Sequence, residues 1–256
     1  MKKVAWFILI LVLSASVHPI MAAPGRSEKR AFIVGVDNTE YYPMYGYKNG
    51  EYTGYARELL DTFGEDSGYS FQYKSLPILR LYKDFLVSQT VDFKYPDNIL
   101  WKAELKKGKN IRYSSAVVDY IDGVMVLPEN KGKGINEFKR LGTVLGFTPW
   151  EYLDHIKSGK IKEDHARTYE IMIRKTLRKR VDGAYSCVSV LNYQLEKLHQ
   201  PGALVFDPCL PHTKSSYLFS SVKYPQIIER FSVWLMKRKA FVDQLKSKYK
   251  LESNLN

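Results

Sequence analysis

Chemistry-bearing side chains are scarce in this 256-residue chain. Only five histidines occur, at 18, 155, 165, 199 and 212, and none stands at a metal-ligand spacing such as HExxH. The two cysteines, Cys187 and Cys209, have no Cys or His beside them at the spacing of a zinc site. No Gly-x-Ser-x-Gly elbow is present, and Ser114 and Ser115 have no base beside them. Asp119 and Asp122 fall three apart in an extended segment, where they do not converge as acid and base. No enzyme, metal or cofactor is therefore expected. Acidic residues are also short, 27 against 39 Lys and Arg, for a net charge of +12. That surplus leans toward anionic ligands through long-range steering. The basic residues spread over helix faces such as Arg174, Lys175, Arg178 and Lys179 and form no aromatic-laced groove, so a nucleic-acid partner is not expected. Repeats and low-complexity segments are missing too. At 45% hydrophobic residues the chain has enough for real cores, in one large domain or two lobes.

No apolar run reaches the roughly 20 residues that a bilayer span needs. The run Val4 to Leu13 follows Lys2 and Lys3 and precedes the small residues Ala15 and Ala22, the layout of a secretory signal peptide over residues 1–22. No cysteine lies near the cleavage region, so lipid attachment has no acceptor, and a soluble periplasmic protein is expected. An oxidising compartment allows Cys187 and Cys209 to pair, which would stabilise the fold by roughly 3 kcal/mol through closure of a loop of about 22 residues. Two free buried thiols are the alternative.

What the chain does contain is a strong opening. Residues 30–60, RAFIVGVDNTEYYPMYGYKNGEYTGYARELL, read as a buried strand (Phe32 to Val36), an aromatic loop around Pro43 and an amphipathic helix entered through Gly54. Asp37, Asn38, Tyr41 and Tyr42 then lie at the carboxyl end of a strand, where open α/β sheets form ligand crevices. The helix from Tyr55 to Ser67 buries Tyr55, Leu59, Leu60 and Phe63, and Gly68 suits its stop. A strand from Ser70 to Lys74 follows, then a helix with Leu79, Tyr82, Phe85 and Leu86 on one stripe, a strand Val91 to Phe93 and a turn at Tyr95 to Asn98. The apolar segment YIDGVMVL, 120–127, reads as a crossing into a second lobe. A strand near Leu141 to Leu145 leads to Thr148 and Pro149, read as the cap and first residue of a helix bearing Trp150, Leu153 and Ile156, whose free amides would make an anion seat. Later come a helix at 166–179, a strand Val181 to Val188, a helix near Val190 to Leu198, a strand Ala203 to Phe206, a return through Asp207 to Ser215, and a long helix from Pro225 burying Ile228, Phe231, Trp234 and Leu235.

Taken in order, FIVGVDNTEYYP, GEYTGYARELL, LPILRLYKDFL, YSSAVVDYIDGVMVL, LGTVLGFTPWEYL and RVDGAYSC resemble the type II periplasmic solute-binding proteins of family 3, best known for polar amino acids. The resemblance implies an α/β, mostly parallel, two-lobed fold with two interlobe crossings. Lobe 1 would take 23–122 and 211–256, and lobe 2 would take 123–210. It further implies a monomer that closes on a small-molecule ligand and delivers it to an inner-membrane ABC permease, with a sensor protein as the alternative partner and a small-acid lyase as the enzymatic alternative. By position, Asp37, Tyr41 and Tyr42 would form the first-lobe wall, and Gly146, Phe147 and Thr148 the second-lobe seat. Ordinary loop packing is the other reading of the two tyrosines.

Two departures stand out. Members that bind α-amino acids carry a Thr-x-x-Arg element before the segment matching YSSAVV, and here YPDNILWKAELKKGKNIR lacks it. The family's carboxylate for the ligand amine falls near Cys187 and is missing as well. Candidate replacements are Arg80, able to fork a carboxylate, and Asn98 with Trp101, an amide and a stacking wall. The other reading of Arg80 is a structural ion pair, and that of Trp101 a surface anchor. Tyr120, Asp122, Trp150, Tyr185 and Ser186 are secondary candidates, for which hinge or core packing is the competing account.

Overall fold

The computed structural model describes residues 29–145 and 147–251; the signal-peptide reading and Gly146 lie outside them. In chain order the strands and helices are β1 (Arg30–Asp37), β2 (Gly46–Lys48), β3 (Glu51–Thr53), α1 (Tyr55–Ser67), β4 (Tyr69–Leu76), α2 (Ile78–Leu86), β5 (Phe93–Asp97), α3 (Ala103–Lys106), β6 (Arg112–Tyr113) and β7 (Val118–Val126). They continue with β8 (Arg140–Val144), α4 (Leu153–Lys157), β9 (Lys162–Ala166), α5 (Tyr169–Leu177), β10 (Gly183–Cys187), α6 (Val188–Lys197), β11 (Val205–Phe206), β12 (Thr213–Ser221), α7 (Pro225–Lys237) and α8 (Lys239–Lys248).

The main sheet runs β4-β1-β5-β12-β7-β10-β8-β9. Its two ends, β4-β1-β5 and β10-β8-β9, are parallel, as alternating strands and helices require. The middle is antiparallel and belongs to the two strands that join the halves. β7 pairs with β12 through Val118–Asp122 and with β10 through Asp122–Val126. β12 pairs with β7 through Thr213–Tyr217, then with β5 and β6 from Leu218 onward. Each crossing strand thus changes partner midway, which is where one half gives way to the other.

The first half is filled by rings. Phe63 meets Phe231 at 5.0 Å and Trp234 at 5.5 Å, and Phe93 stacks on Phe219 at 4.8 Å. Phe63, Phe93, Phe219 and Phe231 are fully buried, each contributing roughly 1.5–3 kcal/mol by removal from water. The stripe expected from Pro225 onward is buried as read, Ile228, Phe231, Trp234 and Leu235 included. Gly68 ends α1 in the left-handed region, its N–H donating to the carbonyl of Gly64.

Three local readings are corrected. Leu79 lies 67% exposed and Leu81 takes its place in the core, because α2 begins only at Ile78 and turns its first residues outward. The expected turn at Tyr95–Asn98 is strand as far as Asp97. Pro96 is tolerated there because β1 pairs only with Phe93 and Lys94, so the missing amide removes no bond from that ladder. The helix capped by Thr148 does not form. Pro149 occupies the cap position without a side-chain hydrogen bond, a 3-10 turn covers Trp150–Tyr152, and α4 is only Leu153–Lys157.

Candidate functional site

A cavity of about 390 Å³ opens where the two halves meet, within the size range of small-molecule sites. The first half supplies Asp37, Tyr41, Tyr45, Tyr82 and Trp101; the second supplies Phe147, Thr148, Trp150 and Tyr169; the crossing strands supply Asp122 and Tyr217.

The start of α1 fixes the aromatic loop. That helix has no side-chain cap; its free amides are met instead by the loop, Tyr55 N–H donating to the carbonyl of Pro43 at 3.2 Å and Ala56 N–H to that of Met44 at 2.9 Å. The fit requires Gly54, whose φ is +98° and whose added Cβ would lie 2.9 Å from the Cα of Tyr45. Within the loop, Tyr41 and Tyr45 exchange backbone hydrogen bonds at 3.0 and 3.2 Å, and their rings stack at 5.5 Å. Tyr41 then reaches across the cleft to Phe147, at 6.3 Å and 19°, and its hydroxyl accepts from that of Tyr217 at 3.4 Å. Tyr217 in turn stacks on Tyr120 at 4.2 Å and meets Trp101 edge-on at 5.7 Å.

Asp37, Tyr41, Trp101, Phe147 and Thr148 therefore converge on the cavity, as do the secondary candidates Asp122 and Trp150. Four other readings are corrected. Tyr42 faces away, because the bridge that turns Tyr41 and Tyr45 inward projects the intervening ring outward, against Tyr193 at 4.5 Å and Tyr249 at 6.0 Å. Arg80 has its side chain 60% exposed and donates to Asp84 one helical turn on, at 2.7 Å, the structural ion-pair alternative. Asn98 is a strut: its amide donates to Ser215 Oγ and the carbonyl of Ser216, and its oxygen accepts from the amide of Leu100. Cys187 is buried and Cys209 exposed, and both are free thiols. Among the secondary candidates, Tyr120 supports Tyr217 from behind, Tyr185 donates to Glu151 at 2.6 Å, and Ser186 is buried beside the Tyr169 hydroxyl.

Tyr45, Tyr82, Tyr169 and Tyr217 were not singled out from sequence. Tyr217 sits on a strand whose pairing no local pattern discloses. Tyr45 had a signal, its four-residue offset from Tyr41.

Electrostatics divide the wall in two. Behind Trp101, the buried Asp97 accepts from Lys94 at 3.2 Å and Lys106 at 2.8 Å, while Ser220 donates to its other oxygen at 2.7 Å. Burial pulls the Lys106 ammonium below its usual range, against the opposing attraction of Asp97. Lys94 also lies 4.9 Å from the Tyr82 ring and 5.5 Å from the Trp101 ring. On the opposite wall stands Asp122, paired in register with Cys187 and Thr213. Burial, and then the charge of Glu151, push its carboxyl up to about 8. Burial likewise raises the Tyr41, Tyr169 and Tyr217 phenols, so all three are neutral at ordinary pH.

No protein-family model matches the chain, and no curated protein matches it. Solved structures do. The chain is similar to substrate-binding domain 2 of Lactococcus lactis GlnP, at 19% identity and a TM-score of 0.62, covering 91% of this chain and 99% of that one. It is similar to an ancestral arginine-binding protein bound to arginine, at 16% identity and 0.65, covering 87% and 99%. It also resembles a histidine kinase sensor domain with similarity to periplasmic binding proteins, at 16% identity and 0.64, covering 88% and 97%. The fold is the two-lobed type II periplasmic-binding-protein fold.

Proposed function

We propose that this protein is an exported receptor that takes up a small organic solute between its lobes and presents it to an inner-membrane transporter. The lobes would be 23–122 with 211–256, and 123–210. The observation that carries this reading is a cavity walled from both halves and floored by the two crossing strands, the arrangement in which binding favours closure. A signalling partner is the second reading, favoured by the likeness to a sensor domain. No turnover of the solute is expected.

Native mass spectrometry of freshly purified protein, followed by a thermal-shift screen of metabolites, tests the proposal. A solute at 100 times its dissociation constant should stabilise the fold by about 2.7 kcal/mol. Trp101→Ala should weaken its binding at least tenfold, while Arg80→Ala leaves it unchanged. Absence of any stabilising solute, or equal binding by the Trp101 variant, would remove the reading.

A further inference from the structure

Asp122 is the least satisfied charged group at the cleft. It borders the cavity, yet its Oδ1 is sealed from solvent and accepts no hydrogen bond from any described residue. Buried carboxylate oxygens are normally met by donors or paired with a cation, and here neither is supplied. The groups whose charge bears on it from neighbouring elements are Glu151 on the turn before α4, Tyr185 and Cys187 on β10, Tyr217 on β12, Tyr41 from the aromatic loop and Tyr169 at the start of α5, with Tyr120 on its own strand. None is a cation.

We propose that the cleft selects an organic ammonium ion bearing at least one N–H, with Asp122 as its anchor and the rings of Tyr41, Trp101 and Tyr217 covering its carbon skeleton. This deepens, and rests on, the receptor reading above. An N–H donor in the cavity gives this carboxylate a hydrogen bond and the countercharge that the protein does not supply, and the positive charge offsets both Asp122 and Glu151. Electron-rich ring faces attract the same charge. The rest of the lining agrees. It holds a second carboxylate, Asp37, and a single ammonium, Lys102, and the described lining residues include no arginine. Lys94 and Lys106 are committed to Asp97. A ligand carboxylate thus finds no forked partner here, whereas an ammonium finds two acidic groups. The overall surplus of positive charge does not override this, because exposed charges are largely screened beyond a Debye length of about 8 Å at physiological salt.

A pH signature follows. Asp122 is mostly protonated below about pH 8, and an ammonium ligand must displace that proton. Affinity for an amine should therefore rise with pH, by up to about tenfold per unit between pH 6 and 8, whereas that of a neutral acceptor bonded to the protonated carboxyl would stay nearly flat over this range and fall only above about pH 8.

Isothermal titration of the purified protein with phenethylamine, putrescine, phenylalanine and phenylacetate, at pH 6, 7 and 8, tests the proposal. At least one of the two amines should bind, more tightly than phenylacetate and more tightly at higher pH. Asp122→Asn should weaken that amine at least tenfold and flatten its pH profile, with an apo melting temperature at pH 8 no lower than that of the parent. Tighter binding of phenylacetate, a flat profile in the parent, or unchanged affinity in the variant would overturn the proposal. If neither amine binds but a metabolite without an ammonium group does, and that metabolite is lost with Trp101→Ala, the ammonium assignment falls and the receptor reading stands. If no metabolite binds, both fall.

Discussion

Asp84 shows how a single residue reassigns its neighbours. It is almost wholly buried at the side of α2, and Lys74 at 3.0 Å and Arg80 at 2.7 Å close on its two oxygens. The hydrogen bond from Lys74 is the main reason its carboxyl is held down to about 2, with Thr90 and Arg80 adding to it against the opposing effect of burial. A carboxyl depressed in the folded state contributes stability that is complete above its unfolded value, near 3.8, and is lost as pH falls through about 2. Urea midpoints measured from pH 5 to pH 2 should therefore fall less steeply for Asp84→Asn than for the parent. The same pair explains why Arg80 read from sequence as a cleft residue: its place after Pro77 was legible, its commitment to a carboxylate one turn later was not decisive. Tyr42 and Asn98 failed for a related reason. Which way a loop side chain points depends on bonds between residues whose contact no periodicity announces, the backbone bridge of Tyr41 with Tyr45 and the bond from the Asn98 side-chain amide to the carbonyl of Ser216.

Among the elements, α1 was legible almost to the residue and α7 in its start and buried stripe, since thirteen-residue stripes with a glycine stop or a proline start leave little freedom. Short elements were not. Thr148-Pro149 carries a strong start signal, yet a helix of one and a half turns gains too little from propagation to fix its own beginning, and packing of Tyr152 and Phe138 decides the local path. Where α1 meets the aromatic loop, the sequence named Gly54 as the entry and missed its second task, which is to let the backbone of Tyr45 lie against the helix start. Gly54→Ala should lower stability by roughly 1–3 kcal/mol through a strained φ and a crowded Cβ. It should also reduce ligand affinity, because Tyr41 and Tyr45 would lose their seat. Chemical denaturation and calorimetry on the same preparation separate the two losses, and an unchanged denaturation midpoint would contradict the account.

At the scale of the whole molecule, the architecture was readable because the crossing segment Tyr120–Leu127 stood out as apolar and extended and the order of strands and helices called for a return. The cleft's chemistry was not, since its walls come from seven separated stretches of chain. Tyr41 against Phe147 is one of the contacts that span the gap, beside Tyr41 with Tyr169 and Tyr42 with Tyr193, and aromatic pairs of this kind contribute roughly 0.5–1.5 kcal/mol beyond their area. Phe147→Ala should accordingly enlarge the radius of gyration of the unliganded protein in small-angle scattering and weaken the bound solute about three- to tenfold; an unchanged scattering curve would mean that the contact does not hold the halves together. The cysteines carry a practical corollary. Cys187 is buried, with a thiol pushed up chiefly by its burial, whereas Cys209 is exposed on the segment that leads into β12. A maleimide fluorophore should accordingly label the native chain once, at the foot of a crossing strand, giving an optical readout of solute capture without engineering a new attachment point.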